Sequence, residues 1–274
     1  VPTGDAHRCA VAAAQEHIRA GDVIQVVLSR TFSMPRLVAP FDIYRGLRTV
    51  NPSPYLFFLQ SPHLELAGAS PEVMVRVLDG SVSVRPIAGT RPRGASPSED
   101  AKLAEALKAD PKEIAEHIML VDLGRNDVGR VAEAGSVRVD ELMVIEHYSH
   151  VMHLVSQVHG NLNANRGLDA FDAVRAAFPA GTLTGAPKVR AMQLIAALEA
   201  EPRGLYGGAV GYFGPRGDAD FGIAIRTVEA LPDTLVVRAG GGIVADSDPH
   251  AETRETEAKA EGVLRAIRWA HDHL

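Results

Sequence analysis

The 274-residue chain is short of cysteine, aromatics and lysine. Its one cysteine, Cys9, cannot close an internal disulfide. The sequence shows no secretory leader and no apolar run of about 18 residues, the length that marks a membrane helix. These absences read as a reduced, cytoplasmic protein. Cys9 lies in an Ala-rich helical stretch, which gives no reason to expect thiol chemistry of it. Aromatic residues make up only 5%, and 28 basic side chains stand against 34 acidic ones, for a formal charge of −6. Dense positive charge is therefore missing, which argues against general affinity for nucleic acid or anionic membranes.

What is present is an ordinary globular composition, 46% hydrophobic and 23% charged, which excludes disorder and collagen-like repeats. No repeat and no Ser/Gly or Pro linker divides the sequence, so a single domain over residues 1–274 is expected. The first residue is Val1 and not Met, which leaves room for a preceding portion.

Residues 6–20 predict a helix ended by Gly21, followed by a strand at Val23–Ser29. Tyr55–Leu59, Leu64–Ala69, Val73–Leu78 and Val82–Ile87 read as short strands separated by Pro, Gly and Asp. Helices are expected at 98–109 and 111–121. A second strand series covers Val137–Val139, Val151–Val158, Ala209–Phe213, Phe221–Val228 and Thr234–Ala239. Further helices are expected at 167–177, at Lys188–Leu198 and from about 250 to 272. Grouped strands that outnumber helices indicate α+β with mainly antiparallel sheets.

Two acidic pairs stand out. Asp110, Pro111 and Glu113 form a helix start in which Glu113 can answer orphan amides, and Glu116 lies one turn on, away from an Ile114, Ile118, Val121 stripe. On the last helix, stepping back from Val263 and Ile267 at about 100° per residue puts Lys259, Glu255 and Glu252 on or beside the apolar stripe. Charges there need a partner, a metal or a ligand; alternatively Glu255 and Lys259 are a surface pair near a frayed end. Carboxylate pairs on separate helices suit a hard cation that keeps positions for substrate oxygens, Mg²⁺ being the natural choice.

His147, His150 and His153 are spaced by three, but strand alternation over Val151–Val158 should point His150 away from the other two. His153 is then either a satisfied core histidine or an acid/base group in a pocket wall. Three glycine-rich stretches, Gly181–Lys188, Tyr206–Gly211 and Ala239–Gly242, match no nucleotide fingerprint. They offer backbone amides to an anion, or are tight turns.

Taken together these segments resemble the chorismate-utilising enzymes, most closely the large (component I) subunits of anthranilate synthases. The resemblance runs from Gly21–Arg30 to the last helix. Its markers are Asn51–Tyr55, Ala69–Glu72, Pro86–Arg91, Glu116–Asp127, Tyr148–His153, Gly181–Lys188, Tyr206–Gly211, Ile225–Thr227 and Glu255–Lys259. It implies a fold of two β-sheets packed face to face with helices outside. It also implies a sizeable N-terminal regulatory region, absent from this chain, that contributes with Asn51–Tyr55 to feedback binding of tryptophan.

Residue by residue, the resemblance makes Glu116 and Glu255 the ligands of Mg²⁺, with Glu113 and Glu252 as supporting acids. Glu72 matches the acid that assists departure of the ring 4-hydroxyl, and His153 the histidine implicated in eliminating pyruvate. Tyr206, Arg226 and the amides of Gly240–Gly242 match the site for the enolpyruvyl carboxylate. Gly89, Thr90, Thr182 and Lys259 match the remaining substrate-binding positions. Isochorismate and salicylate synthases have Lys where Gln25 stands, and aminodeoxychorismate synthases commonly carry Lys where Ala88 stands. Both differences favour ammonia as nucleophile, supplied by a glutamine amidotransferase on another chain, because Cys9 is the only cysteine here. The implied product is anthranilate, with pyruvate. The rivals are a sibling enzyme stopping at aminodeoxychorismate or 2-amino-2-deoxyisochorismate, and a non-catalytic chorismate-binding scaffold.

Overall fold

The computed structural model describes residues 4–148 and 151–274. In chain order, α1 (Gly4–Arg19) is followed by β1 (Gln25–Pro35), α2 (Pro40–Val50), β2 (Tyr55–Ser61), β3 (Leu64–Ser70), β4 (Val73–Leu78), β5 (Ser81–Val84) and β6 (Ile87–Pro92). Next come α3 (Pro97–Ala109), α4 (Pro111–Gly129), β7 (Arg138–His147), β8 (Val151–Asn161), α5 (Ala170–Ala177) and a single turn, α6 (Gly181–Thr184). The remainder is β9 (Gly185–Ala186), α7 (Lys188–Leu198), β10 (Gly208–Phe213), β11 (Ala219–Ala224), β12 (Thr227–Ala230), β13 (Thr234–Ile243) and α8 (Pro249–His273). Among the described residues no helix is long and apolar enough to cross a membrane.

The strands form two sheets. One has six strands in the order β2-β3-β12-β13-β1-β9; the other has seven, β10-β11-β4-β5-β8-β6 with β7 also on β8. The pairings between β1 and β13, β2 and β3, β4 and β5, and β7 and β8 are all antiparallel, as the grouped strand pattern leads one to expect. The chain divides into two compact units, the first comprising 1–72, 182–210 and 222–274 and the second 73–181 and 211–221. Each is discontinuous in sequence, so no linker composition marks a border.

In the first unit, Ile43 and Leu47 of α2 and Ala260, Val263 and Ile267 of α8 pack on alternate residues of β13, Leu235, Val237 and Ala239. Removing one such leucine or isoleucine from water is worth roughly 1.5–3 kcal/mol. A second cluster joins Val11 and Ala14 of α1 to Leu194 and Ile195 of α7 across Val26 and Leu28 of β1. Helix α2 escaped the sequence pattern, although Pro40 at its first turn and the Ile43/Leu47 pair carry the signal. In the second unit, Met152, Leu154, Val155 and Val158 of β8 are buried with Leu120, Val121 and Val128 of α4.

Several expectations need correcting. Val82–Ile87 is not one strand: β5 and β6 lie successively along β8, interrupted at Arg85 and Pro86. Proline cannot donate to a ladder, and here the Pro86 carbonyl accepts from the Ser156 N–H instead. Phe221–Val228 is also broken, at Ile225 and Arg226, where Arg226 takes φ of 50°. Helix α4 extends to Gly129, and its buried line is His117, Leu120, Val121, Gly124 and Val128, whereas Ile118 is exposed. On α8 the inward line is Thr253, Thr256, Ala260 and Val263, and Glu255 and Lys259 flank it. Finally, His147 ends β7 while His153 lies on β8 opposite Glu146, so the three histidines do not share a strand. His150 lies outside the described residues.

Candidate active site

In the first unit the site residues gather around the glycine run of β13. Its partner β1 runs antiparallel, with Val27 opposite Gly242 and Ser29 opposite Gly240. A Cβ on Gly240 would sit 2.6 Å from the Leu28 carbonyl oxygen and 2.7 Å from the Tyr206 hydroxyl. One on Gly241 would lie 3.2 Å from a Glu252 carboxylate oxygen and 3.5 Å from one of Glu255. A Cβ on Gly242 would collide with the amide of buried Gln25. These glycines are therefore bare because functional side chains crowd them.

Asp248 caps α8, accepting from the Ala251 N–H at 2.7 Å, so the first turn, which carries Glu252, is held and not frayed, and Glu255 follows in the next turn. Lys259 pairs with Glu255 at 2.7 Å and donates to the Gly240 carbonyl at 3.1 Å. The one-turn charge pair expected from sequence is thus present, and it also ties α8 to β13.

Glu72 follows β3. Burial pushes its carboxyl up to about 7, against the pull of the Thr182 hydroxyl and of the Lys259 and Arg226 charges. A carboxyl poised there can hold a proton at neutral pH and give it away. Arg226 is bent into the left-handed region, a costly conformation for a side chain with a Cβ, and one that structures retain mostly at functional sites. Desolvation likewise raises the hydroxyl of half-buried Tyr206 above its ordinary value and keeps it a neutral donor. The Arg203 guanidinium lies 5.5 Å from its ring centre. Arg203 and Arg238 both bind the buried Glu199, at 2.7 Å each.

In the second unit, a register shift in the β6–β8 pairing falls between Ala88 and Thr90, and Gly89 there takes φ of 62°. The shift turns the Gly89 carbonyl to His153, whose Nδ1 lies 3.1 Å from it and 3.1 Å from the Thr90 hydroxyl. A carbonyl only accepts, so the Gly89 contact is a hydrogen bond in the tautomer that carries its hydrogen on Nδ1, which leaves Nε2 as the basic nitrogen. Ala88 is buried. A Cβ on Gly89 would lie 3.0 Å from a carboxylate oxygen of Glu113.

Asp110 caps α4 through the N–H groups of Lys112 and Glu113. Glu113 does not close the expected capping box but pairs with Arg91 at 3.0 Å, and Arg91 also holds Asp110 at 2.9 Å. Glu116 is half-buried one turn on. Among the described residues, no three His, Cys, Asp or Glu side chains gather as a closed metal cage. Carboxylate oxygens arriving in pairs, such as those of Glu252 and Glu255 at Gly241, fit a hard cation that leaves positions for other oxygens.

Sequence reasoning missed Arg91, His117, Glu146 and Tyr148. Arg91, His117 and Tyr148 lie inside the family's motifs without an assigned role there, and His117 gives no further signal because a histidine does not register in an apolar stripe.

A family profile described as chorismate binding enzyme matches residues 2–265. The chain belongs to the chorismate binding enzyme family. It is 56% identical over 261 residues to anthranilate synthase component 1 of Streptomyces coelicolor, covering 95% of this chain and 51% of that protein. Against anthranilate synthase component 1 of Haloferax volcanii it is 57% identical over 266 residues, covering 96% and 50%. The chain thus spans about half the length of the curated relatives it matches. The crystal structure of anthranilate synthase component I from Streptococcus pneumoniae superposes with a TM-score of 0.88 at 46% identity, over 95% of this chain and 57% of that one. The two-sheet α+β architecture is accordingly that of chorismate binding enzymes.

Proposed function

We propose that this chain is the chorismate-converting part of an anthranilate synthase, a lyase that turns chorismate and ammonia into anthranilate and pyruvate for tryptophan biosynthesis. The observation that carries this reading is Gln25, buried against Gly242 with an amide that cannot act as a base. A water nucleophile would need deprotonation at that position, whereas ammonia arrives with its lone pair ready. Ala88 has no amine with which to attack the substrate covalently. High identity to component 1 proteins supports the same choice.

In the first step ammonia attacks ring carbon 2, the two ring double bonds shift toward carbon 4, the 4-hydroxyl departs as water with the proton of Glu72, and the new ammonium group gives up a proton to leave the neutral amine. Arg226, Tyr206 and the Gly240–Gly242 amides hold the enolpyruvyl carboxylate, a role suited to a guanidinium and to close-approaching N–H groups. In the second step Nε2 of His153 removes the proton from carbon 2, the bond from carbon 3 to the enolpyruvyl oxygen breaks, and the ring becomes aromatic. Glu116 and Glu255, supported by Glu113 and Glu252, would hold Mg²⁺, which when bound neutralises the ring carboxylate. A glutamine amidotransferase on a separate chain is the proposed ammonia source.

Incubation with chorismate, Mg²⁺ and ammonium at mildly alkaline pH should yield fluorescent anthranilate and one pyruvate per turnover. A non-aromatic amino product would select a sibling enzyme. Chorismate binding without turnover would select the scaffold reading.

A further inference from the structure

The second unit holds a chain of contacts that ends on His153 and that the reaction above does not use. Glu146 of β7 stands directly across from His153 of β8, and Thr90 of β6 stands across from it on the other side. These three side chains therefore share one row on one face of the sheet. The ring of Tyr148 meets the imidazole edge-to-face, with centres 5.4 Å apart and planes at 67°. Its hydroxyl donates to a Glu146 carboxylate oxygen at 2.8 Å. Glu146 is held in turn by Arg85, which also binds Gln157 at 2.7 Å and Glu141 at 3.1 Å.

An exposed tyrosine would ordinarily turn freely, but this one is fastened at three points. Its N–H donates to the Val151 carbonyl at 2.8 Å, its carbonyl accepts from Arg93 at 2.6 Å, and its hydroxyl is bound by Glu146. The ring is thus presented to His153 at a defined place. Burial alone would raise the Glu146 carboxyl, yet the hydrogen bonds from Tyr148 and Arg85 outweigh it and leave the group below its usual range. Glu146 is therefore an anion that both anchors Tyr148 and faces the imidazole.

We infer that Tyr148, anchored by the Glu146–Arg85 pair, is the positioning residue of His153: it keeps Nδ1 on the Gly89 carbonyl so that Nε2 receives the ring proton. Rotation of the imidazole about its Cβ–Cγ bond would break the Nδ1 hydrogen bond and move the basic nitrogen, and the Tyr148 ring blocks that rotation. The Glu146 anion also faces the imidazolium that forms once the proton has been taken. This inference rests on the anthranilate synthase reading for its step, but not for its geometry.

The test uses Tyr148→Leu, Tyr148→Phe and Glu146→Gln in the full chain, with two readouts. In turnover with chorismate, Mg²⁺ and ammonium, the ratio of anthranilate to released amino intermediate should fall about tenfold in Tyr148→Leu, and less in the other two, since misplacing a general base forfeits part of its effect. Chorismate consumption should stay within about twofold, a split that general damage would not produce. Without substrate, nitrogen NMR of His153, assigned by its loss in His153→Gln, should show the Nδ1–H tautomer in the parent and a mixture in Tyr148→Leu. An unchanged product ratio, or an unchanged tautomer, overturns the inference. Should Tyr148→Leu not fold, the two near-isosteric variants decide on the same criteria. A parent protein that makes no anthranilate refutes the functional reading, and the tautomer then decides the positioning role alone.

Discussion

The Nε2 of His117 lies 2.6 Å from the Oγ of Ser156, both side chains fully buried. His117 follows Glu116 on α4, and Ser156 lies three residues beyond His153 on β8, so one hydrogen bond registers the acidic helix on the histidine strand. Ser156 Oγ also accepts from the N–H of Met143, which sits at φ of 55° in β7. Burial depresses His117 to about 4, so the imidazole remains neutral in this role at physiological pH.

Replacing His117 by Ala should destabilise the protein by about 2–4 kcal/mol, through a cavity and the loss of one of the two hydrogen bonds of the buried Ser156 hydroxyl. Ser156→Ala should cost less, and the double variant less than the sum of the two. Urea unfolding of the four proteins measures this; strict additivity would mean that the pair is not coupled.

Glu72 gives opposite effects on stability and activity. A carboxyl raised from 4.5 to about 7 binds its proton more tightly when folded, so its contribution is fully present below pH 4.5 and is lost as pH rises through 7. Glu72→Gln should therefore stabilise the ligand-free protein at pH 8 by roughly 2–3 kcal/mol while abolishing turnover. In the parent, the rate at fixed free ammonia should decline above about pH 7 as Glu72 ionises. A thermal melt and a pH–rate profile check the two arms.

Gly240→Ala should both destabilise the chain and weaken substrate binding, because the added methyl would meet the Leu28 carbonyl and the Tyr206 hydroxyl. A cost of about 1–3 kcal/mol is expected from overpacking, with a raised KM for chorismate. An unchanged KM would remove Tyr206 from the substrate site.

Glu255→Gln should abolish Mg²⁺-dependent turnover while leaving the fold intact, since its pairing with Lys259 is surface-exposed and of small energetic worth. Titrating Mg²⁺ against activity and recording circular dichroism test this; full activity at ordinary Mg²⁺ would dismiss Glu255 as a ligand.

Legibility varied with the range of the forces involved. The boundaries of β4 and α7 follow directly from the run Val73–Leu78 and from Pro187 before Lys188. Breaks at Pro86 and Arg226 were harder to see: the first reflects how β5 and β6 share one edge of β8, and the second a backbone strain with no local signature. The inward face of α8 is only partly visible in the sequence because Thr253 and Thr256 look polar, yet their hydroxyls bond the Pro249 and Thr253 carbonyls one turn back and can be buried.

By itself, the sequence determined the family, the α+β class and the identities of the acids, histidine and glycines at issue, because local periodicity and motif order survive without coordinates. Only the tertiary structure decided what those groups can do. The near-neutral Glu72 carboxyl, the seat of His153 Nδ1 between the Gly89 carbonyl and the Thr90 hydroxyl, and the crowding at Gly240–Gly242 come from tertiary packing, and burial and hydrogen-bond geometry exist only once the chain has closed.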